Sequence, residues 1–385
     1  MDSLDQAEAT FAASVDATVG IEEEFAILDP GTLDLAPRYE ELHAAGQADP
    51  VLRAAIAGEL ISSEIEIVSG RGEDLSDALK RQRAARHAFF RLADAHGAKL
   101  GATGTHPWAD YREQPNIDTE HYRRVVDGLQ YVARRNNTFS LHVHVGIQGA
   151  DRAVRVCDRL RGVLPLLLAV SASSPYLDAR DAGLNSARTQ SFTKSFPRCG
   201  IPDAYGSWRA YADYITFLQK TNSIVEYTQV WWSVRPHFSF GTVEVRICDV
   251  QTTAGESDAL SALMTACILQ AAYDVDSGLP LVDLPRRLVE ENFWRAIRFG
   301  LDGKFVDETR AEEFSAAETV ERLLAWTAPA RTAHRLAEPA FPALNGAQRQ
   351  RRMIDAGAAP AEVYAAAVRE TYSTYSDQGS PHEPA

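Results

Sequence analysis

Several features are scarce in this 385-residue chain, and each scarcity narrows what it can do. Cysteine occurs at only four positions, Cys157, Cys199, Cys248 and Cys267. They are far apart and form no Cys-x-x-Cys pair. That excludes a disulfide scaffold and a thiolate zinc site, and a reducing, cytoplasmic setting is expected. Lysine appears only at Lys80, Lys99, Lys194, Lys220 and Lys304, so any anion site is expected to be built from arginine forks. Lys and Arg together number 39 against 53 Asp and Glu, a net charge of −14. This argues against a surface made for nucleic acid or anionic membrane. The apolar run Val163–Val170 contains a proline and falls far short of the ~20 residues that cross a bilayer. The acidic start, Met1-Asp2-Ser3-Leu4-Asp5, lacks the features of a secretory leader. No Gly-x-x-x-x-Gly-Lys-Ser/Thr loop exists, which excludes P-loop nucleotide binding. Gly101-Ala102-Thr103-Gly104 is too short for a dinucleotide fingerprint.

What is present is ordinary globular composition, 45% hydrophobic and 24% charged. Strands are expected over 17–28, 60–68, 99–105, 139–147, 230–236 and 241–249, each rich in β-branched or aromatic residues. Helices are expected over 74–97, 119–135, 151–172, 207–220, 256–274, 282–300, 308–326 and 360–372. Leu75, Ala78, Leu79, Phe89 and Leu92 form one helical stripe, and Ser207 is an expected N-cap. No repeat or linker divides the chain. The simplest organisation is a single α+β domain over 1–372, sheet-rich to 250 and mostly helical from 251, with 373–385 a disordered polar tail.

The strands carry the information. Side chains at i and i+2 share a face. In Ile21–Ile27 one face holds Ile21, Phe25 and Ile27 with Glu23 among them, and the other holds Glu22 and Glu24. In Ile61–Val68 the apolar face is Ile61, Ile65 and Ile67, and the polar face Glu64 and Glu66. In Leu141–Ile147 the polar face is His142 and His144. In Thr242–Cys248 the core face is Val243, Val245 and Ile247, and the other carries Thr242, Glu244, Arg246 and Cys248. One strand of this kind is most simply a solvated sheet edge or face. Across all four, the polar positions are dominated by Glu and His, which are metal ligands. Facing carboxylates destabilise a sheet unless a cation neutralises them. Oxygen-rich sites with little cysteine suit Mg²⁺ or Mn²⁺. His-x-His alone is a weak signal, compatible with zinc or with a surface pair. Tyr205-Gly206-Ser207-Trp208, Tyr211, Tyr214 and Trp231-Trp232 either line an apolar amine pocket or, as the simpler reading, pack in the core. His87, His96, His237 and His334 are read as structural or surface residues.

The ordered set Thr18-Val19-Gly20-Ile21-Glu22-Glu23-Glu24-Phe25, Glu59 to Glu66, Gly104-Thr105-His106-Pro107, Leu141-His142-Val143-His144-Val145-Gly146, Val234-Arg235-Pro236 and Thr242–Asp249 resembles the type 2 glutamate–cysteine ligase family, also called carboxylate–amine ligases. Glu291-Asn292-Phe293-Trp294-Arg295 and Asn345–Arg351 extend the resemblance over nearly the whole chain. It implies a glutamine-synthetase-like fold, a curved antiparallel sheet with a polar catalytic face and helices on the other. It implies ATP-dependent amide formation through an acyl phosphate, with Mg²⁺ or Mn²⁺, from small-molecule amino acid and amine substrates; a homodimer is expected by analogy alone. Carried over by residue, Glu22, Glu24, Glu59, Glu66, His142 and Glu244 match metal ligands. Glu22, Glu24, His142, Glu244 and Arg246 would hold ATP, and Arg246, Arg235 and Arg188 match catalytic arginines. His142 matches the family histidine better than His144. Strict alternation sets Glu59 and Glu66 on opposite faces, so Glu59 must precede the strand or a bulge must intervene, and Glu64 is an alternative ligand. Ser233 and Phe139-Ser140 depart from the pattern of many relatives, which leaves the amine open. The competing classes are guanidino phosphotransfer, which lacks this carboxylate array, and a non-catalytic metal- or nucleotide-binding homologue.

Overall fold

The computed structural model describes residues 4–282, 284–307 and 310–376. Seven segments form one antiparallel sheet: β1 (Val19–Leu28), β2 (Ile56–Ala57), β3 (Glu64–Val68), β4 (Lys99–Gly101), β5 (Ser140–Gly146), β6 (Val234–His237) and β7 (Thr242–Asp249). Their order is β6-β7-β5-β1-β3-β2, and β4 pairs with the second half of β1. The expected α+β class is therefore the observed one.

Alternation explains which way the sheet faces. Ile21, Phe25, Ile65, Ile67, Leu141, Val143, Val145, Val243 and Val245 are all buried on one face. Helices Ala150–Leu160, Leu164–Ser171 and Ala254–Asp276 cover its β5–β7 half, and helix Leu75–Ala95 packs on β1 and β3. Helix Ala254–Asp276 buries residues on nearly every side, as expected of a helix sandwiched between sheet and outer helices. With that face closed, the polar positions must share the opposite face.

Several expected elements differ from those observed. The helix expected over 151–172 is two, Ala150–Leu160 and Leu164–Ser171, because Pro165 can start a helix but not continue one. The helix expected over 119–135 breaks at Gln130, whose φ is +49°. In place of a helix from 308 there is a hairpin, Lys304–Asp307 with Glu312–Ser315, followed by helix Ala316–His334 with a Ser315/Glu318 capping box. Residues 283, 308 and 309 lie outside the described residues. Helices Leu4–Ala12, Tyr39–Gly46 and Gly346–Asp355 were not expected. The expected tail begins too early, since 373–375 belong to helix Pro360–Tyr375; residues 377–385 lie outside the described ones. Asp74 and Ser207 cap their helices by accepting from the N–H groups of Asp77 and Ala210. Among the described residues no helix is long and apolar enough to cross a membrane.

Candidate active site

Strand register assembles the polar face. Glu22 pairs with His142, and Glu24 with Glu66. On β7, Glu244 stands between His144 of β5 and Arg235 of β6. Paired strand residues put side chains on one face within reach of each other. Glu22 Oε2 lies 3.1 Å from His142 Nδ1, and Glu22 Oε1 lies 3.1 Å from His144 Nε2. His144 Nε2 is 3.8 Å from Glu244 Oε1. Three groups bring ligand atoms within 4.8 Å of one another: Glu22, Glu66 and His142; Glu22, His144 and Glu244; Glu24, Glu59 and Glu66.

Three details depart from simple alternation. Glu59 reaches the site because β3 begins only at Glu64, so Glu59 sits in the irregular segment before the strand. Glu64 is buried at the same cavity but belongs to none of the three groups, and its Oε2 has no hydrogen-bond partner. Cys248 was expected on the polar face. A register shift between Val245 and Cys248 turns it inward, where its thiol lies against Leu167 and Met264. His144, ranked below His142 from sequence, is as central as His142. What sequence reasoning lacked was the β7–β5 register that sets it beside Glu244.

The arginines have distinct partners. Arg235 Nε donates to Glu244 Oε2 at 2.6 Å, and two backbone carbonyls, Thr228 O and Val230 O, take its Nη1. Arg246 is ion-paired with Glu244. Arg188 donates to the carbonyls of Ile247 and Arg246 and lies 3.6 Å from Asp249. Asp249, fully buried, accepts from Ser173 N–H and from the Ser174 and Ser186 hydroxyls. Gly104 has no side chain for a spatial reason: a Cβ there would stand 2.6 Å from the Asp249 carboxylate. The Nε atoms of Arg188 and Arg246 are buried without a protein hydrogen-bond partner.

Charge crowding shapes the proton affinities. Burial, then the neighbouring Glu24, pushes the Glu59 carboxyl up to about 8. Burial pushes Glu64 and Glu66 well above the usual range, with the surrounding carboxylates adding to it. For Glu22 and Glu244 burial acts upward too, but cations win. His144 and His142 hold Glu22 well below its ordinary value, and Arg235, Arg246 and His144 do the same for Glu244. Burial lowers His142, and Arg246 lowers it further. For His144, burial is outweighed by Glu22 and Glu244, and its value is raised.

Behind the sheet, Glu23 explains its odd place on the apolar face. It is fully buried and meets Arg86 through two hydrogen bonds, 2.6 Å from Nε and 2.8 Å from Nη2. Gln82 donates both to Glu23 and to the carbonyl of Ile67, bridging β1 and β3. Ser257 and Tyr375 hydroxyls donate to Glu23 as well. This network anchors the strand residue between Glu22 and Glu24 to three helices.

Two cavities flank the carboxylates. One, about 100 Å³, is lined by Glu24, Glu59, His142, Arg188, Arg246 and Trp231, with Phe192 and Phe196 in its wall. The other, about 600 Å³, is lined by Glu22, His144, Arg71, Phe240 and residues of the N-terminal helix. Of the aromatic clusters singled out in the sequence, Trp208 and Tyr211 pack in the core. His237 is buried, stacked on Phe240 and beside His144. Burial lowers it to about 3.

Comparison with known proteins places this geometry. Residues 18–375 match the family described as glutamate-cysteine ligase family 2. A relative from Rubrobacter xylanophilus, provisionally named glutamate–cysteine ligase 2-2, is 38% identical over 316 residues, 82% of this chain and 81% of its own. One from Solibacter usitatus, provisionally named glutamate–cysteine ligase 2, is 38% identical over 308 residues, 80% and 79% of the two chains. Among solved structures, the glutamate–cysteine ligase of Francisella tularensis in complex with AMP shares the fold, with a TM-score of 0.69 at 10% identity over 94% of this chain and 90% of that one. A bifunctional glutathione synthetase from Pasteurella multocida gives 0.63 at 12% identity, over 96% of this chain and 54% of that longer one.

Proposed function

We propose, taking as premise that this chain belongs to glutamate–cysteine ligase family 2, that it is an ATP-dependent carboxylate–amine ligase working through an acyl phosphate. The observation that carries this reading is the convergence of Glu22, Glu24, Glu66, Glu244, His142 and His144 from four strands, with Glu59 from the segment before β3, beside arginines with unpartnered N–H groups.

The residues fit divalent cations. His144 Nε2 is buried 3.1 Å from Glu22 Oε1 and 3.8 Å from Glu244 Oε1, and burial with the surrounding carboxylates pushes the Glu66 carboxyl upward. A cation relieves this crowding of carboxylates. The three groups named above would hold Mg²⁺ or Mn²⁺. When bound, the metal screens the triphosphate and polarises the phosphoryl group that moves.

The remaining steps belong to the chain and its substrates. An amide does not form from a carboxylate and an amine at neutral pH without activation. An oxygen of the acid attacks the γ-phosphorus, ADP leaves, and the amine nitrogen then attacks the acyl carbon. Inorganic phosphate departs with the acyl C–O bond and the amine gives up a proton. Arg246, with Nε free, is placed to neutralise charge on the transferring group. Arg188, fixed by Asp249, offers its Nε to the non-reacting carboxylate of the acid. Arg235 is committed to Glu244 and holds it in place.

The names of the relatives support glutamate and cysteine as the substrates. A second reading keeps the chemistry but takes a different amine; the aromatic wall of Phe192, Phe196 and Trp231 in the small cavity favours it. Of the helices after residue 251, Ala254–Asp276 and Pro360–Tyr375 pack on the sheet, and Arg286–Phe299, Ala316–His334 and Gly346–Asp355 pack on these or on helix Leu164–Ser171, which supports one catalytic domain. Four free, buried thiols support a reducing compartment. The test is an ATP/Mg²⁺ assay over a matrix of amino acids and amines, with mass detection of the condensed product. One amide formed with stoichiometric ADP supports the reading; no product across the matrix counts against it. Glu22→Gln should abolish ADP formation with circular dichroism unchanged.

A further inference from the structure

We propose that the larger cavity receives the nucleoside of the triphosphate, and that Phe240, stacked on His237, is the platform for its base. This rests on the ligase reading and sharpens it.

Phe240 lies in the turn between β6 and β7 and is 60% exposed. A phenyl ring left in water gains nothing from burial, yet this one is held in a defined pose. Its ring is parallel to the His237 imidazole, with centroids 4.4 Å apart and an interplanar angle of 9°. It also meets His144 edge-on at 5.6 Å. His237 is itself buried against Tyr227 and His144, so the lower layer of the stack is fixed. The exposed ring lines the cavity of about 600 Å³. An ordered, outward-facing aromatic ring at the rim of a cavity suits a flat π-system, and every nucleobase has one.

The position agrees with the phosphate chemistry. His144, which the Phe240 ring touches, belongs to the Glu22–His144–Glu244 group. A triphosphate held at that group has its ribose and base trailing into the adjoining space. On this side the space is large, with an apolar wall that includes Ala9, Val15, Val19 and Val68, and with Arg71 as its cation. The cavity on the Arg188 side, about 100 Å³, is the smaller, and Arg188 and Arg246 in its lining suit an anionic acid instead. The two cavities therefore divide the work, nucleotide on one side and the acid and amine on the other.

The experiment compares equilibrium binding of ATP and of inorganic tripolyphosphate, both with Mg²⁺, to wild type, Phe240→Ala and Phe240→Trp. Tripolyphosphate carries the phosphates without the base. Phe240→Ala is expected to weaken ATP about tenfold or more, leave tripolyphosphate unchanged, and be rescued by Phe240→Trp. ATP bound equally by Phe240→Ala and wild type overturns the platform. So does parallel loss of ATP and tripolyphosphate, which marks general damage. Wild type that binds neither ligand overturns the ligase reading and the platform with it.

Discussion

Removing divalent ions and raising the pH should destabilise the fold in a narrow, predictable way. Glu59, Glu64 and Glu66 all have carboxyls pushed upward in the folded chain, Glu59 to about 8 against an ordinary 4.5. A raised carboxyl contributes its stability below the unfolded value and loses it as pH rises through the folded value. Each one still protonated in the fold but ionised in the unfolded chain costs about 1.4 kcal/mol per pH unit. For Glu59 the whole loss, from 4.5 to 8, is on the order of 5 kcal/mol. The clean window is pH 7 to 8.5. Below it, His142 and His237, lowered by burial, give stability that rises with pH up to their unfolded value and oppose the trend. Above it, the buried thiols of Cys157, Cys199, Cys248 and Cys267, also pushed upward, begin to add to it. His144, raised, acts in the same direction as the carboxylates. Urea unfolding in EDTA should show stability falling by at least about 1 kcal/mol across the window. Saturating Mn²⁺ should restore it, by about 3 kcal/mol at a hundredfold excess over its dissociation constant, and more at pH 8.5 than at 7. Flat stability in EDTA, or equal Mn²⁺ stabilisation at both pH values, would refute the reasoning.

Other consequences can be measured separately. Arg86→Met leaves Glu23 buried without its partner and should cost about 3–5 kcal/mol in urea unfolding, whereas Glu23→Leu with Arg86→Met should recover most of it. If the double variant regains stability but needs more Mn²⁺ for half-saturation than wild type, the network also sets the aim of Glu22 and Glu24. Gly104→Ala drives a methyl into Asp249 and should destabilise by about 1–3 kcal/mol, with a loss of kcat/KM as Arg188 shifts; unchanged unfolding and kinetics would contradict the packing argument. Arg188→Lys keeps the charge but removes the fork and should raise KM for the acid more than for ATP, read from initial rates of ADP release.

Period-two alternation made much of the sheet legible in the sequence, because a strand buried on one face must write its polar face at every second residue. Glu22, Glu24, Glu66, Glu244 and Arg246 were visible in this way. Glu23 was visible as an anomaly, but its partner Arg86 sits on a helix 63 residues on, and no local pattern joins them. Cys248 was misplaced because a bulge shifts register without marking the sequence. His144 needed a long-range pairing with β7 to acquire Glu244 as a neighbour. Helix ends followed local chemistry where caps were present, at Asp74 and Ser207. They failed at Gln130, a non-glycine residue at positive φ, two residues after an Asp127-Gly128 pair that lies inside the expected helix. Phe240 reads as an ordinary turn residue until its stacking on His237 is seen.

Titration of the metal-free chain with Mn²⁺, followed by electron paramagnetic resonance with and without a non-hydrolysable ATP analogue, tests the central claim most directly. Tightly bound Mn²⁺ whose spectrum changes when the analogue is added, and which Glu22→Gln and Glu66→Gln each release, is the predicted result. Mn²⁺ that stays free in wild type, or binds identically in both variants and ignores the nucleotide, would contradict it.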